Sequence, residues 1–238
     1  MGFDAGCGTG ADGLELDVRL SADGVAIVHH DPTLERTTNA SGPVVAKTAA
    51  ELARVDAGCR FTRGSVFPFR GQGIGVPTLA EVLKRYRDRL IIIDMKDNVG
   101  ALGAAVARDV RGADAVDRVC AAGYGAVAMQ AARAALPELA TSAHQGEVRV
   151  ARYRSWLRCP VQRVAYQGYQ VPERVGRLQV VSPLFVNHAH GANLKVQVWT
   201  VDREPDMVRL LDWGVDGLIS NCPDIAVSVR DRWARHRS

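Results

Sequence analysis

Short apolar runs rich in β-branched residues recur along this chain of 238 residues, and segments of helical periodicity separate them. This alternation is typical of a parallel α/β architecture. The predicted strands are residues 14–18, 90–95, 118–122, 139–143, 163–167, 196–201 and 217–220. The clearest predicted helices are residues 49–55, 79–86, 101–110, 130–136 and 205–213. A TIM-type (β/α)8 barrel takes about 250 residues, so the pattern indicates such a barrel with one strand too few.

Composition excludes several classes of protein. The chain is 47% hydrophobic and 24% charged, which is typical of a globular domain. A formal charge of +4, scattered along the chain, does not indicate a nucleic-acid-binding protein. No apolar stretch approaches the roughly 20 residues of a membrane span. Five cysteines without C-x-x-C spacing, and an N-terminus unlike a secretory signal, predict reduced thiols and a cytoplasmic location.

Residues 31–77 interrupt the strand and helix alternation. The segment is rich in Gly, Thr, Arg and Phe, and we interpret it as an insertion over one mouth of the barrel. The glycines between Gly71 and Gly75 lack the preceding strand and following helix of a phosphate-binding loop. We expect residues 1–238 to form a single domain that contains this insertion.

Two acidic residues alternate with apolar residues in the first predicted strand. Successive side chains of a strand point to opposite faces, so Glu15 and Asp17 share one face while Leu14 and Leu16 share the other. Carboxylates that point into a barrel are costly to bury unless a cation accompanies them. The pattern therefore predicts a metal site, with a solvent-exposed strand end as the alternative.

A turn signal follows this strand and predicts a histidine near the carboxylates. Asp23-Gly24 lies between alternating apolar runs, which indicates a two-residue hairpin turn. The resulting register places His30 opposite Asp17, on the same face. An imidazole that titrates near neutrality beside a cation site is suited to general acid or base catalysis. A structural His–Asp hydrogen bond is the alternative.

A third carboxylate lies near the end of the apolar run 90–95. Asp94 and Lys96 project to one side of this strand, close to its C-terminal end. Barrel enzymes carry their catalytic groups at the C-terminal ends of strands. A carboxylate beside a lysine suits a hard cation together with a phosphate anion, and a buried ion pair is the alternative.

Together these motifs resemble the glycerophosphodiester phosphodiesterase family. The similar segments are E-L-D-V from residue 15, H-D-P-T-L-x-R-T-T from residue 30, P-T-L-x-E-V-L from residue 77, I-D-M-K from residue 93, Q-V-W-T-V from residue 197 and N-C-P-D from residue 221. The resemblance covers residues 3–224. It implies a TIM barrel that hydrolyses a small-molecule glycerophosphodiester to sn-glycerol 3-phosphate and an alcohol.

The resemblance also implies roles for individual residues. Glu15, Asp17 and Asp94 would bind one divalent cation, Ca²⁺ or Mg²⁺, although the family usually has Glu in the place of Asp94. Lys96 would be catalytic and bind the phosphate of the substrate, and His30 would be one of two catalytic histidines. Trp199 would line the substrate cleft, with core packing as its alternative role.

The start of the chain departs from the family pattern. The family opens with a strand ending in His-Arg-Gly and a Pro-Glu-Asn-Thr segment, and neither occurs here. We therefore expect the first barrel strand to be missing, together with one proton-transfer group and one phosphate-binding arginine. The insertion 31–77 then follows strand two of the family barrel. Two explanations remain open, namely a polypeptide that begins upstream, or a truncated homologue that forms a homo-oligomer or has lost catalysis.

Two alternatives to glycerophosphodiester hydrolysis remain open. The first is a catalytically impaired homologue that binds metal and a phosphodiester without turnover. The second is a lysophospholipase D-like activity at the same site, which would require an exposed apolar entrance. Phe61, Phe67 and Phe69 of the insertion could form that entrance, or they could pack on the barrel.

Overall fold

The computed structural model describes residues 2–161 and 163–236, and strands and helices alternate through them. The first ten elements are α1 (Gly2–Gly8), β1 (Gly13–Leu20), β2 (Ala26–Val28), α2 (Ala49–Leu52), α3 (Leu79–Arg85), β3 (Leu90–Met95), α4 (Gly100–Gly112), β4 (Val119–Gly123), α5 (Ala126–Ala135) and β5 (Ala140–Thr141). The remaining elements are α6 (Gln145–Trp156), β6 (Gly168–Pro172), β7 (Arg174–Val175), β8 (Leu178–Gln179), α7 (Pro183–His190), β9 (Lys195–Trp199), α8 (Glu204–Asp212), β10 (Gly217–Leu218) and α9 (Pro223–Arg235). In the part of the chain that the structure describes, the element that precedes β1 is helix α1 and not a strand.

Tertiary contacts divide the chain into two compact units. One unit is Leu16–Leu139, and the other is Met1–Glu15 with Ala140–Ser238. In Leu16–Leu139 the strands lie in the order β2-β1-β3-β4. β1 and β2 are antiparallel, whereas β3 and β4 are parallel with Asp94 opposite Ala122. Leu16 and Val18 of β1 are buried, as the predicted alternation requires.

The segment 31–77 forms a small hydrophobic core together with Ile27 of β2. It contains a 3₁₀ helix (Val44–Ala46) and α2, which begins with a capping box between Thr48 and Glu51. The buried residues of this core are Ile27, Leu34, Val44, Leu52 and Val76. The segment is therefore a packed part of its unit. Its place over a barrel mouth, and the single-domain organisation, stay predictions.

In the unit Met1–Glu15 with Ala140–Ser238, three parallel strands lie in the order β10-β9-β6. β7 and β8 form a short antiparallel pair. The core of this unit is built from the buried faces of strands and helices, and its largest members are Tyr169 and Phe185. Their rings lie 5.0 Å apart between centroids. The sequence therefore alternates β and α elements in both units, as predicted.

One predicted strand is wrong in position. The sequence predicts a strand at 163–167, but β6 begins directly after this segment, at Gly168. Tyr169 and Val171 carry the buried alternation of β6. Gly168 belongs to the strand because the backbone of Lys195 approaches it closely, and a Cβ there would lie 2.6 Å from the Lys195 carbonyl oxygen.

Helices α6, α7 and α9 are not among the clearest predicted helices, and each has a recognisable N-terminus. α6 begins at a capping box in which the His144 ring accepts a hydrogen bond from the Gly146 amide. α7 begins after the N-cap Ser182, and α9 has Pro223 in its first turn. α5 also begins four residues before the predicted helix 130–136, at Ala126. The residues at these helix starts therefore mark the helices more clearly than hydrophobic periodicity does.

The predicted hairpin register is wrong by one residue. β1 and β2 pair Val18 with Val28 and Leu20 with Ala26, so the loop between them is longer than a two-residue turn. The Ser21 hydroxyl donates to Asp23 and accepts from the Val25 amide, at 2.6 and 2.9 Å. These side-chain hydrogen bonds stabilise the longer loop, although Gly24 adopts a positive φ as expected for a turn.

No helix in residues 2–161 and 163–236 is both long enough and apolar enough to span a membrane.

α4 and α5 cross at a close backbone contact. Gly103 of α4 lies against α5, where an added Cβ would overlap the Ala128 carbonyl oxygen and lie 2.9 Å from the Ala132 nitrogen. The side chain of Asn98 accepts hydrogen bonds from the amides of Val127 and Ala128 and so fixes the start of α5. The two helices therefore have little freedom to move apart.

We predict that Gly103→Ala destabilises the protein by about 2 kcal/mol, because backbone must move to admit the methyl group. Gly112→Ala is the matched control in the same helix, since nothing lies within 4 Å of its added Cβ. The control should change stability by less than about 1 kcal/mol, in the stabilising direction. Urea unfolding measures both changes, and equal stabilities for the two variants would contradict the prediction.

Candidate active site

Three carboxylates converge at neighbouring strands. Glu15 and Asp17 alternate along β1 with buried apolar residues, and Asp94 lies near the C-terminal end of β3. All three residues are partly buried, and one carboxylate oxygen from each lies within 4.8 Å of the others. The structure thus brings together the three residues that the sequence predicts as metal ligands.

The donor set fits a hard divalent cation. Carboxylate oxygens are the ligands that Ca²⁺ and Mg²⁺ prefer. Ca²⁺–oxygen distances of about 2.4 Å allow two ligands of one ion to lie up to about 4.8 Å apart, so oxygens that all lie within 4.8 Å of one another can share one such ion. Carboxylates held this close repel one another, so a bound cation would stabilise the arrangement.

Lys96 neutralises part of this negative charge. Its Nζ atom lies 2.7 Å from an Asp17 oxygen and 2.6 Å from an Asp94 oxygen. Burial of the ammonium group opposes protonation, but the hydrogen bonds to Asp17 and Asp94 outweigh it and raise the pKa of Lys96 above its usual value. Lys96 therefore carries a positive charge within the carboxylate cluster.

Asp97 holds the two strands of the cluster in register. Its carboxylate pairs with the guanidinium of Arg19 and accepts a hydrogen bond from the Leu20 amide at 3.1 Å. The Lys96 amide also donates to the Val18 carbonyl at 3.0 Å. Sequence reasoning missed Asp97, although it directly follows the I-D-M-K motif and so lies next to a predicted site residue.

His30 does not occupy the predicted place opposite Asp17. The longer hairpin loop shifts the register, and the amide that donates to the Asp17 carbonyl belongs to His29, at 3.0 Å. The His30 side chain is exposed, and its Nδ1 lies 2.7 Å from an Asp31 oxygen. The backbone carbonyl of His30 accepts a hydrogen bond from Arg19 at 2.9 Å. His30 is therefore held by Arg19 and Asp31.

Asp31 is itself held by Arg36. The guanidinium binds both carboxylate oxygens of Asp31. Hydrogen bonds from Arg36, and then from His30, hold the pKa of Asp31 well below its usual range. An ionised Asp31 accepts a hydrogen bond from Nδ1 of His30, and Nε2 has no hydrogen-bond partner among the described residues. The H-D-P-T-L-x-R-T-T motif contains all three residues, but Asp31 and Arg36 were not singled out from it.

Trp199 belongs to the unit Met1–Glu15 with Ala140–Ser238. It is the last residue of β9, and its side chain is exposed, so the alternative role in core packing is wrong. The loop after β9 is tied to the loop after β10, because Asp202 accepts hydrogen bonds from the side chain of Ser220 and from Asn221. These contacts fix the chain that follows Trp199.

Several known proteins are similar to this chain in sequence. The model of the glycerophosphoryl diester phosphodiesterase family matches residues 1–225. A glycerophosphodiester phosphodiesterase from Caldanaerobacter subterraneus subsp. tengcongensis is 29% identical over 225 residues, which cover 92% of this chain and 86% of that protein. One from Bacillus altitudinis is 27% identical over 237 residues, which cover 97% of this chain and 91% of that protein.

Solved structures share the fold. The crystal structure of a glycerophosphodiester phosphodiesterase from Agrobacterium tumefaciens has a TM-score of 0.76 at 26% identity, and the match covers 94% of this chain and 90% of that one. A phosphodiesterase from Oleispira antarctica, in complex with the product sn-glycerol 3-phosphate, has a TM-score of 0.74 at 23% identity, with coverage of 97% and 89%.

These likenesses confirm two predictions. The predicted α/β class with a TIM-type (β/α)8 barrel fold is confirmed by the structural neighbours. The resemblance drawn from short motifs is confirmed by a family model that covers nearly the whole chain. The chain therefore belongs to the glycerophosphoryl diester phosphodiesterase family, which is a family of phosphoric diester hydrolases.

Proposed function

We propose that this chain hydrolyses glycerophosphodiesters to sn-glycerol 3-phosphate and an alcohol, with the help of one divalent cation. The observation that carries the proposal is the cluster of Glu15, Asp17 and Asp94 around the ammonium group of Lys96. Family membership supports the reaction class. The product bound to the Oleispira antarctica phosphodiesterase supports the choice of substrate.

Glu15, Asp17 and Asp94 would hold the cation. When bound, a divalent cation supplies Lewis acidity toward a phosphoryl oxygen. Asp94 is one methylene shorter than the Glu that is usual in the family, so its oxygen reaches less far from β3. A larger ion with flexible coordination tolerates such a change better than one that demands a near-ideal octahedron. We therefore favour Ca²⁺ over Mg²⁺ as the more activating ion.

Lys96 would bind the phosphate of the substrate. Its ammonium group is held at the carboxylates by hydrogen bonds on a flexible stem, so Nζ can turn toward a phosphoryl oxygen. A fixed positive charge there offsets the negative charge that grows on the phosphoryl oxygens in the transition state. Lys96 therefore binds the group that reacts, while the carboxylates hold the metal.

His30 would transfer a proton at Nε2. Its Nδ1 faces Asp31, so Nε2 is the nitrogen available to the attacking or leaving oxygen. Asp31 acts as a positioning residue that selects this tautomer, and Arg36 keeps Asp31 ionised. Trp199 would form a wall of the substrate cleft, because it is an exposed aromatic residue at the end of a barrel strand.

One observation favours a second candidate, the hydrolysis of acylated substrates such as lysophospholipids. Phe61 and Phe67 are exposed in the segment 31–77, and the rings of Phe61 and Phe69 lie 5.1 Å apart between centroids. Exposed aromatic side chains could receive an acyl chain. Turnover of lysophosphatidylcholine and glycerophosphocholine should be compared, and preference for the acylated substrate, lost in Phe61→Ser with Phe67→Ser, would favour this candidate.

The proposed reaction has a direct test that also separates it from binding without turnover. Release of sn-glycerol 3-phosphate from glycerophosphocholine should depend on Ca²⁺ or Mg²⁺ and stop on addition of EDTA. Metal-dependent thermal stabilisation by glycerophosphocholine without product release would instead support the non-catalytic alternative. We further propose that the protein is cytoplasmic and forms a homo-oligomer. Analytical ultracentrifugation measures the oligomeric state.

Asp17→Asn should abolish the stabilisation of the protein by divalent cations. The substitution keeps the size of the side chain but removes the charge that links Glu15 to Asp94 in the proposed site. Differential scanning fluorimetry with Ca²⁺ and Mg²⁺ measures the melting shift. Asp88→Asn, at an exposed carboxylate, is the control and should keep the parent shift. A full shift in Asp17→Asn would remove Asp17 from the metal site.

His30→Ala should leave the metal-induced melting shift intact while hydrolysis falls. Loss of one proton-transfer group typically costs about 10²–10⁴-fold in rate. The assay is release of sn-glycerol 3-phosphate at saturating metal. His236→Ala, at an exposed histidine after α9, should keep the parent rate. Equal rates for parent and His30→Ala would exclude His30 from the mechanism.

Asp31→Asn should lower kcat by at least about tenfold, because an amide no longer selects the tautomer of His30 that leaves Nε2 free. KM and the metal-induced melting shift should stay near the parent values. Glu138→Gln removes another exposed carboxylate of the same unit and serves as the control. A change in KM alone would show that Asp31 does not act through His30.

A further inference from the structure

Helix α6 carries apolar residues on two opposite faces. Its buried face includes Ala151 and Ser155. The opposite face carries Val150, Tyr153 and Trp156, which are 57%, 59% and 73% exposed, and Leu157, which follows the helix, is 71% exposed. Residues separated by three or four positions are neighbours on a helix, so these four side chains form one stripe. We refer to Val150, Tyr153, Trp156 and Leu157 as the α6 stripe.

The α6 stripe is unusual for a surface helix. The face of such a helix that points away from the core normally carries polar and charged residues. A contiguous exposed apolar patch rimmed by charges marks an interaction site more often than a scattered apolar residue does. The rings of Tyr153 and Trp156 make no aromatic contact or hydrogen bond with the part of the chain that the structure describes. The stripe therefore lacks an occupant within the described residues.

The surroundings of the stripe are strongly basic. Residues 145–172 contain one acidic residue, Glu147, and five arginines, which are Arg149, Arg152, Arg154, Arg158 and Arg163. Arg152 and Arg154 donate to backbone carbonyls of the same unit. Arg149, Arg158 and Arg163 have neither an ion pair nor a hydrogen-bonded side chain among the described residues. Positive charge is thus available beside the apolar stripe.

We propose that the α6 stripe and its arginines dock this protein on the surface of an anionic phospholipid bilayer. Aromatic rings with one polar edge favour the headgroup region, which suits Tyr153 and Trp156. Arginines beside an apolar helix face bind anionic headgroups, and each cation near the surface adds to the attraction. The helix would lie in the plane of the interface, with its buried face still packed on its own unit.

Charge argues for a lipid surface over a second copy of this chain. Two copies joined face to face through the α6 stripe would bring their unpaired arginines together, and like charges across an interface oppose association. An anionic bilayer offers many negative headgroups over an apolar layer, so it complements both features of the surface. This inference is independent of the proposed hydrolysis.

The test is co-sedimentation of the full chain with extruded vesicles. The protein should bind vesicles of phosphatidylcholine mixed with phosphatidylglycerol and should not bind vesicles of phosphatidylcholine alone. Binding should weaken as sodium chloride is added, because salt screens the arginines. Absence of binding to the mixed vesicles at low salt would overturn the proposal.

Substitutions then assign the contact to α6. Tyr153→Ser with Trp156→Ser should lower the partition coefficient at least about tenfold, because most of the inserted apolar area is lost. Arg149→Gln and Arg158→Gln should each lower it about fivefold. The matched control is Val45→Ser with Val175→Ser, two side chains that are 59% and 60% exposed on other elements. Circular dichroism melting should be the same for all variants.

Fluorescence gives a second readout that does not depend on the serine variants. The emission of the parent should shift to the blue on the mixed vesicles, and Trp156→Phe should sediment with them but lose that shift. Binding that the Tyr153→Ser with Trp156→Ser variant retains in full would overturn the proposal. A dimer that this variant abolishes, without vesicle binding by the parent, would assign the stripe to contact between copies and also overturn it.

Discussion

The alternation of side chains along β1 is the constraint on which the site depends. Leu14, Leu16 and Val18 are buried on one face of this strand, so Glu15 and Asp17 must lie on the other. The same residues that anchor the strand in the core therefore aim two carboxylates at one place. A shift of β1 by one residue would bury both charges and expose three core residues, which is why this register is strongly determined.

The cluster that results has a built-in counter-ion. Lys96 lies between Asp17 and Asp94 and remains protonated because of them. The carboxylates that we propose as metal ligands are therefore partly neutralised by the ammonium group, which limits the repulsion among them. A cation that enters must compete with this ammonium group for the same oxygens. In the proposed site, this competition would lower the affinity for metal below that of three carboxylates without a lysine, and the ammonium group would stabilise the protein without metal.

Predictions that follow from the alternation of side chains along a strand succeeded, and those that depend on individual loop hydrogen bonds or close backbone contacts did not. Glu15 and Asp17 were placed together because the pleat of a strand has a fixed period. The position of His30 was wrong because the hydrogen bonds of the Ser21 side chain with Asp23 and Val25 stabilise a longer hairpin loop, and the turn sequence alone does not reveal them. β6 was misplaced because the strand includes Gly168, where the absence of a side chain permits the close approach of the Lys195 backbone. α6 was missed because its exposed face is apolar, which obscures helical periodicity.

Arg19 connects the parts of the site that the sequence treats as separate motifs. It extends from β1, pairs with Asp97 after β3, and donates through Nε to the carbonyl of His30. One planar guanidinium thus links the strand that carries Glu15 and Asp17, the residue that follows β3 and the backbone of the proposed proton-transfer residue. A lysine has a single ammonium head and lacks the rigid fork needed to reach both partners in fixed directions. The place of His30 relative to the proposed metal ligands therefore depends in part on this one side chain, and a substitution of Arg19 would alter both links together.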